Sequence, residues 1–195
     1  MNAMHLLPIE TGWIELICGC MFSGKTEELI KRLRRAEIAR QKLAVFKPEI
    51  DKRYDRKKIA SHSSLMFDAT IVNHSSEILD KVGDEQVVGI DEVQFFDEGI
   101  IAVARTLAEQ GRRVICAGLD QDYLSRPFEH TMNLMAESEY VTKLLAICMK
   151  CGNPANRTQR KVKAGDRIVV GAADIYEARC RKCFDPELKH ESENA

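Results

Sequence analysis

The most specific chemical pattern in the chain lies at residues 19–26, Gly-Cys-Met-Phe-Ser-Gly-Lys-Thr, which match the phosphate-binding pattern G-x-x-x-x-G-K-[ST]. Gly19 and Gly24 permit backbone conformations that are costly for other residues, so the N–H groups of the loop can converge on an anion. Lys25 would reach the terminal phosphates of a nucleotide, and the Thr26 hydroxyl would hold Mg²⁺. The predicted phosphate site is completed by the residues between the two glycines, Cys20, Met21, Phe22 and Ser23.

The segments on both sides of this loop have the patterns of a strand and a helix. A mostly apolar run of strand length, residues 13–18, precedes Gly19. After Lys25, apolar residues recur at helical spacing through residues 26–42, which predicts an amphipathic helix. A chance match in an ordinary turn is the alternative, but it would not need these flanks, so the pattern favours a nucleotide-binding loop.

A second candidate site lies at the end of another apolar run, residues 87–90, where Asp91 and Glu92 follow. A carboxylate at the end of a buried strand is typical of the aspartate that holds Mg²⁺ beside a nucleotide. Glu92 would point in a different direction and is a candidate general base. A strand followed by an acidic turn is the alternative, and the phosphate-binding pattern favours the functional interpretation. The predicted nucleotide contacts of this segment also include Val93 and Gln94.

Four cysteines form two C-x-x-C pairs, Cys148 with Cys151 and Cys180 with Cys183, separated by the 28 residues 152–179. This spacing within each pair is typical of zinc sites, and two pairs supply the four thiolates of a tetrahedral site. Because a full set of four ligands leaves no open position, we expect the zinc to be structural. Disulfides and thioredoxin-like redox motifs are the alternatives, although nothing in the sequence indicates secretion.

The remaining pattern is an alternation of apolar strands with amphipathic helices, which predicts an α/β fold with a parallel sheet covered on both faces. Ligands of such sheets bind at the carboxyl ends of the strands, so Gly19, Asp91 and Asp120 are expected to share one cleft. Helices are predicted at 98–110, ended by Gly111, and at 131–138, capped by Thr131; strands are predicted at 43–46, 113–119 and 140–148, and a basic turn at 153–160.

The composition is that of an ordinary folded chain of 195 residues, with 45% hydrophobic and 30% charged residues. This length suits one domain with a small additional module. The balance of 29 basic against 30 acidic residues gives no overall attraction to nucleic acid, and no apolar run has the length of a membrane span. Cys18, Cys20 and Cys116 are predicted to be buried thiols in a reducing compartment. Residues 1–12 are expected to be a flexible leader and residues 185–195 a disordered tail.

Taken together, four motifs resemble the type II thymidine kinases, the family of the cytosolic vertebrate enzyme and most bacterial thymidine kinases. The motifs are the glycine loop at 19–26, Asp-Glu-Val-Gln-Phe-Phe at 91–96, Gly-Leu-Asp-Gln-Asp at 118–122 with Arg-Pro-Phe at 126–128, and the cysteine pairs enclosing Thr158 and Tyr176. The resemblance implies a RecA-like P-loop domain, residues 13–147. It also implies a zinc-ribbon-like domain, residues 148–184, whose long lasso loop covers the nucleoside.

The resemblance also implies the activity: ATP-dependent phosphorylation of the thymidine 5′-hydroxyl, giving dTMP and ADP, by a phosphotransferase of nucleotide salvage and DNA precursor synthesis. Glu92 would be the proton acceptor, and Asp51 and Arg53 match a D-x-R segment near the phosphates. A cytoplasmic homotetramer inhibited by dTTP is implied, with no membrane and no nucleic-acid partner. By matching position, the nucleoside pocket would be lined by Met21, Phe95, Leu119, Tyr123, Phe128, Thr158 and Tyr176, with backbone groups from Ile168 to Gly171 near the base.

One residue departs from the family pattern, because Cys20 stands where a small residue without a thiol is common. It predicts sensitivity to oxidation. A P-loop, zinc-containing, nucleic-acid-dependent ATPase is the alternative function, with basic contacts at 31–35, 51–58 and 157–163. The first of these runs alternates with predicted core positions of a helix, which is the pattern of a solvated face, and the net charge of −1 also disfavours this function.

Overall fold

The computed structural model describes residues 11–50, 58–60, 66–162 and 175–186 of the chain. Residues 1–10 of the predicted leader and residues 187–195 of the predicted tail lie outside the described residues.

Strands and helices alternate along the first two thirds of the chain, and short strands follow. The elements are β1 (Trp13–Gly19), α1 (Lys25–Ile38), β2 (Leu43–Pro48), β3 (Lys58–Ala60), β4 (Met66–Asp68), β5 (Thr70–Val72), α2 (Glu77–Lys81), β6 (Val87–Ile90), a 3-10 turn (Val93–Phe95), α3 (Ile100–Glu109), β7 (Arg113–Leu119), α4 (Glu129–Glu137), β8 (Tyr140–Leu144), β9 (Ala146–Ile147), β10 (Pro154–Ala155), β11 (Arg157–Arg160) and β12 (Tyr176–Arg179).

Six strands form one sheet in the order β5-β2-β6-β7-β1-β8, and every pairing within it is parallel. The predicted α/β fold is therefore confirmed. β7 lies between β1, which leads into the glycine loop, and β6, which leads into the two carboxylates. This inserted strand is the arrangement expected of a RecA-like P-loop fold, and it brings the carboxyl ends of the three strands to one edge of the sheet.

Helices cover both faces of the sheet because the strand residues alternate between two buried clusters. In β7, for example, Val114 and Cys116 belong to one cluster, and Ile115 and Ala117 to the other. α1 covers the second face with Leu29, Ile30, Leu33 and Ala36, whereas α3 covers the first with Ile100, Val103, Ala104 and Leu107. The sheet thus has a buried, rigid centre from which the loops of its carboxyl edge extend.

The end of a helix could be predicted from the sequence where a glycine marks it, but not where another residue takes its place. α3 ends as predicted, with Gly111 at φ 85° and the Arg112 N–H bonded to Leu107 O at 3.1 Å. α1 has the same type of end, but Arg40 takes the left-handed conformation, φ 58°, with Gln41 N bonded to Ala36 O at 3.1 Å. The predicted end at residue 42 was wrong because no glycine marks this turn.

Other local predictions were wrong where tertiary contacts decide the structure. α4 begins at Glu129, so Thr131 lies buried within the helix and does not cap it. The predicted strand 140–148 is divided into β8 and β9. The predicted turn at 153–160 instead forms β10 and β11, since its residues pair with β9 and β12.

A small module follows the large sheet, and its two antiparallel pairs are β9 with β10 and β11 with β12. Its core is a cluster of small buried residues. Cys20 of the glycine loop packs in the same cluster. The other buried members of this cluster are Ala146, Cys148, Ala155, Ala178 and Cys180.

At the amino end of β1, Glu15 is a buried carboxylate that joins four elements of the fold. Arg113 of β7 donates to it at 2.6 and 3.1 Å, Arg32 of α1 at 2.8 Å, and Trp13 Nε1 at 2.8 Å. Arg32 also donates to Thr142 of β8 at 2.9 Å. Burial raises the pKa of Glu15, but the hydrogen bonds and charges of Arg113, Trp13 and Arg32 outweigh burial and hold the pKa below its ordinary value of 4.5.

Because the folded-state pKa of Glu15 is lowered, its ionisation stabilises the fold above pH 4.5, and this contribution is lost as pH falls through the lowered pKa. We expect Glu15→Gln to lower the free energy of unfolding at pH 7 by about 2 kcal/mol, since two arginines lose their counter-charge. The variant should also lose less stability than the wild type on acidification below pH 4.5. Urea denaturation measured at several pH values, with the exposed Glu37→Gln as control, tests this; parallel stability curves would contradict it.

Candidate active site

The glycine loop has the conformation that the sequence predicts for a phosphate-binding loop. Gly19 ends β1 at φ 147°, and a Cβ there would lie 2.4 Å from Leu144 O. Gly24 precedes α1 at φ 84°. Both positions therefore require glycine, and the first N–H groups of the 14-residue helix α1 point toward the loop.

Lys25 and Thr26 lie where the loop meets the carboxylates. The Lys25 amine is buried and donates to the Cys20 carbonyl at 2.8 Å. Burial lowers the pKa of Lys25, and the negative charges of Glu92 and Asp91 oppose this shift. A cation held inside the loop, among carboxylates, is positioned to neutralise an anion that enters the loop.

The two carboxylates that follow β6 have separate hydrogen-bond partners. Thr26 Oγ1 donates to Asp91 Oδ2 at 3.2 Å, which brings together the two predicted Mg²⁺ ligands from positions far apart in the chain. The backbone N–H of Glu92 donates to Asp91 Oδ1 at 3.0 Å, and Glu92 itself adopts the left-handed conformation at φ 53°. This backbone conformation is uncommon for a residue other than glycine.

Gln94 holds the Glu92 carboxylate. Its Oε1 accepts the backbone N–H of Leu119 at 2.9 Å, so its Nε2 faces Glu92 Oε2 and donates to it. The backbone donor therefore fixes the orientation of the amide. A Cβ at Gly118 would lie 2.7 Å from Gln94 Oε1, so this arrangement also requires glycine at the end of β7. Gln94, predicted as a nucleotide contact, is thus a buried support of Glu92.

Asp120 lies at the same edge, as predicted, because it follows β7 directly. It is buried, and its carboxylate pairs with Lys143 of β8 at 2.8 Å, across β1. The carboxyl ends of β1, β6 and β7 thus bring Gly19, Asp91 and Asp120 to one edge of the sheet.

The predicted nucleoside-lining residues make several separate contacts. The Met21 N–H donates to Thr158 Oγ1 at 3.1 Å. The rings of Phe95 and Phe128 meet edge to face, with centroids 6.4 Å apart. Tyr123 and Tyr176 both contact Arg160. The backbone N–H of Leu119 donates to Gln94 Oε1.

Arg160 was predicted only as a basic contact of the alternative function and not as a residue of the nucleoside pocket. Its guanidinium lies 3.7 Å from the centre of the Tyr123 ring and donates to the Tyr176 hydroxyl at 3.1 Å. It is only 3% exposed. Its burial could not be predicted, because Arg157–Arg160 has no apolar alternation that would indicate a buried strand.

Four residues of the predicted site lie outside the described residues. They are Asp51 and Arg53, predicted near the phosphates, and Ile168 and Gly171, predicted near the base.

The four cysteines of the two pairs form one cluster, with all Sγ atoms within 4.8 Å of one another. Their thiols are free, and the 3.6 Å between Cys151 Sγ and Cys180 Sγ is far longer than a disulfide bond. Burial raises the pKa of Cys148, but hydrogen bonds from the backbone of Cys180, Lys150 and Cys151 outweigh it and hold the pKa at about 6. The cluster can therefore hold a metal ion that prefers thiolates.

Cys20 is 1% exposed, and its thiol contacts the Ala155 carbonyl at 3.4 Å. Burial raises its pKa, which disfavours the reactive thiolate. The predicted sensitivity of Cys20 to oxidation is therefore not supported by its environment.

Several basic residues predicted as contacts of the alternative, nucleic-acid-dependent ATPase have internal partners. Arg32 is bound to Glu15, and Arg157 donates to Gln121 at 2.8 Å. Arg160 is buried, as described above. These residues are positioned for internal contacts and not for phosphates of a nucleic acid. Within the described ranges, no helix is both long and apolar enough to cross a membrane.

Comparison with known proteins agrees with this geometry. Residues 12–184 match the family model described as Thymidine kinase, a range that includes both the glycine loop and the four cysteines. The chain is 55% identical over 175 residues to a curated protein named Thymidine kinase from Rhodothermus sp. (strain ITI 518). The aligned part covers 90% of this chain and 82% of that protein.

Proposed function

The chain belongs to the thymidine kinase family and functions as a thymidine kinase, and we propose that it transfers the γ-phosphoryl group of ATP to the 5′-hydroxyl of thymidine, giving dTMP and ADP. One observation supports this proposal: three groups lie at the same edge of the sheet. They are the Lys25 amine, the Thr26–Asp91 pair joined at 3.2 Å, and the Glu92 carboxylate, which Gln94 holds. These are the groups that phosphoryl transfer to a hydroxyl requires.

Glu92 is the proposed general base. A hydroxyl is a poor nucleophile, so a carboxylate that accepts its proton lowers the barrier as the new O–P bond forms and the bond to ADP breaks. Gln94 donates to Glu92 Oε2 and so orients the carboxylate that would accept the proton of the 5′-hydroxyl. The 5′-hydroxyl proton passes to Glu92 and from there to solvent.

The loop and Lys25 stabilise the transferred phosphoryl group. Backbone N–H groups of residues 19–26 surround the phosphates, and the buried Lys25 amine supplies a positive charge in a site of low dielectric. Mg²⁺, when bound by Thr26 and Asp91, supplies further positive charge to the phosphates. Arg53 and Asp51 are proposed to act near the phosphates on the basis of the family resemblance alone.

The nucleoside pocket is proposed to be lined by the residues whose contacts are described above. Phe95 and Phe128 form an edge-to-face aromatic pair, and Arg160 holds Tyr123 and Tyr176 together. Aromatic and apolar walls suit a pyrimidine ring and its methyl group. Leu119, Met21 and Thr158 complete these walls, and backbone groups from Ile168 to Gly171 are proposed to contact the base.

The four-cysteine cluster is proposed to hold structural Zn²⁺. Four thiolates occupy all positions of a tetrahedral ion, so none is left for a substrate. The donor set fits, since all four Sγ atoms lie within 4.8 Å of one another. A division into a nucleotide-binding domain, 13–147, and a zinc domain, 148–184, follows from this proposal, with β9 at the boundary.

Three further properties are proposed from the family resemblance: a homotetramer, a cytoplasmic location and feedback inhibition by dTTP. Seven free thiols suit a reducing compartment. dTTP combines the base that the nucleoside pocket would bind with a triphosphate that would compete for the cationic loop.

The activity is tested by ADP release from ATP in the presence of different nucleosides. We expect release to depend on thymidine and to yield dTMP in equal amount. ADP release that is independent of thymidine and stimulated by single-stranded DNA would instead support a nucleic-acid-dependent ATPase.

The role of Glu92 is tested by Glu92→Gln, which keeps the size of the side chain but removes the proton acceptor. We expect kcat to fall by roughly two to four orders of magnitude while ATP and thymidine still bind. Steady-state kinetics and ligand titrations check this, with the exposed Glu98→Gln as control. A near-normal kcat for Glu92→Gln would remove Glu92 from the mechanism.

The metal is tested by elemental analysis of the purified protein, where we expect about one zinc per chain from the four-thiolate count. Cys151→Ser should lower the zinc content and the thermal stability, because metal binding contributes directly to folding of such small modules. Cys116→Ala, which changes a buried thiol of the large sheet, should retain the zinc. Absence of zinc, with disulfides mapped among the four cysteines, would refute the site.

A further inference from the structure

The glycine loop is connected to the small module by two hydrogen bonds between residues that are far apart in the sequence. The Met21 N–H donates to Thr158 Oγ1 at 3.1 Å, and the Cys20 thiol donates to the Ala155 carbonyl at 3.4 Å. Both contacts are buried, and Thr158 is 4% exposed. The loop therefore packs on a wall of the module and is not enclosed by the large sheet alone.

The Met21 N–H needs this partner. A buried backbone donor without a hydrogen bond is costly, and Thr158 supplies the acceptor for it. The next residue, Phe22, has a φ of 65°, a conformation that residues other than glycine rarely adopt. The loop thus contains a strained backbone position directly after the anchored N–H, and strained positions persist only where their surroundings hold them.

The position of Thr158 is in turn set by the small module. Thr158 in β11 pairs with Ala178 in β12, and β12 leads directly to Cys180. Ala155 in β10 pairs with Ala146, two residues before Cys148. The loop residue Cys20 packs in the same buried cluster as Ala155, Ala178 and Cys180. The four-cysteine cluster therefore fixes the strands that present Thr158 to the loop.

We propose that Thr158 is a positioning residue for the phosphate-binding loop: its hydroxyl holds the Met21 N–H and so keeps the loop in the conformation that binds ATP. This role is additional to the proposed place of Thr158 in the nucleoside pocket, and it rests on the proposed function only in taking residues 19–26 as the ATP site. The small module then supports the ATP site as well as the nucleoside site.

Two variants separate the hydroxyl from the rest of the side chain. Thr158→Val has nearly the same shape but no acceptor, and Thr158→Ser keeps the acceptor but lacks the methyl group. In titrations with ATP and Mg²⁺ and no nucleoside, we expect the Kd for ATP to rise roughly three- to tenfold in Thr158→Val, the effect of losing one buried hydrogen bond. Thr158→Ser should restore ATP binding to within about twofold of the wild type.

Thr142→Val is the matched control, since the Thr142 hydroxyl also accepts a hydrogen bond, but from Arg32 and within the large sheet, in β8. Its Kd for ATP should not change. Zinc content and thermal unfolding of all variants show whether the fold is retained. Because ATP binding is measured without a nucleoside, this test can fail while thymidine phosphorylation is confirmed, and the reverse also holds.

A folded Thr158→Val variant with the ATP affinity of the wild type would overturn the proposal, as would equal losses in the valine and serine variants. If Thr158→Val does not fold, amide hydrogen exchange of the wild type decides. The Met21 N–H should then exchange slowly in the absence of any ligand. Fast exchange of this N–H in the folded protein would show that Thr158 does not hold it.

Discussion

The structure depends on one constraint: the backbone N–H groups of residues 19–26 must be held toward a single point, although the loop contains positive φ angles at Gly19, Phe22 and Gly24. Such a loop cannot fix itself. β1 holds one end, because it lies inside the parallel sheet between β7 and β8, and α1 holds the other. The small module holds the middle through Met21 and Cys20. The loop is therefore anchored on three sides.

Around this loop, burial makes charge placement decisive. Lys25 is buried and its pKa is lowered by burial, so its cationic form relies on the carboxylates near it. Asp91 and Glu92 are neighbours in sequence, yet they bond to different groups, Thr26 and Gln94. Their separate partners allow adjacent carboxylates to take different roles. Glu92 also has a left-handed backbone, which a residue other than glycine adopts at a cost in local strain.

The chemistry that depends on local spacing could be predicted from the amino-acid sequence alone. The strand, glycine loop and helix around Lys25, the carboxylates at Asp91 and Glu92, and the two cysteine pairs are each encoded within a few residues, because each uses neighbouring backbone or side-chain groups. The parallel α/β fold was also predictable, since strands buried on both faces alternate regularly with amphipathic helices. Gly111 marked the end of α3 for the same local reason.

Contacts between distant segments of the chain could not be predicted from the sequence and became evident in the folded structure. Thr158 meets Met21 across 137 positions, and Gln94 reaches Leu119 across 25. Arg160 is buried against two tyrosines, although its polar strand gives no pattern of burial. Such partners are chosen by packing, because a buried donor or cation takes whichever acceptor the fold brings near. The reacting groups were therefore predictable from the sequence. The residues that hold them in place, such as Thr158 and Gln94, became evident only in the fold.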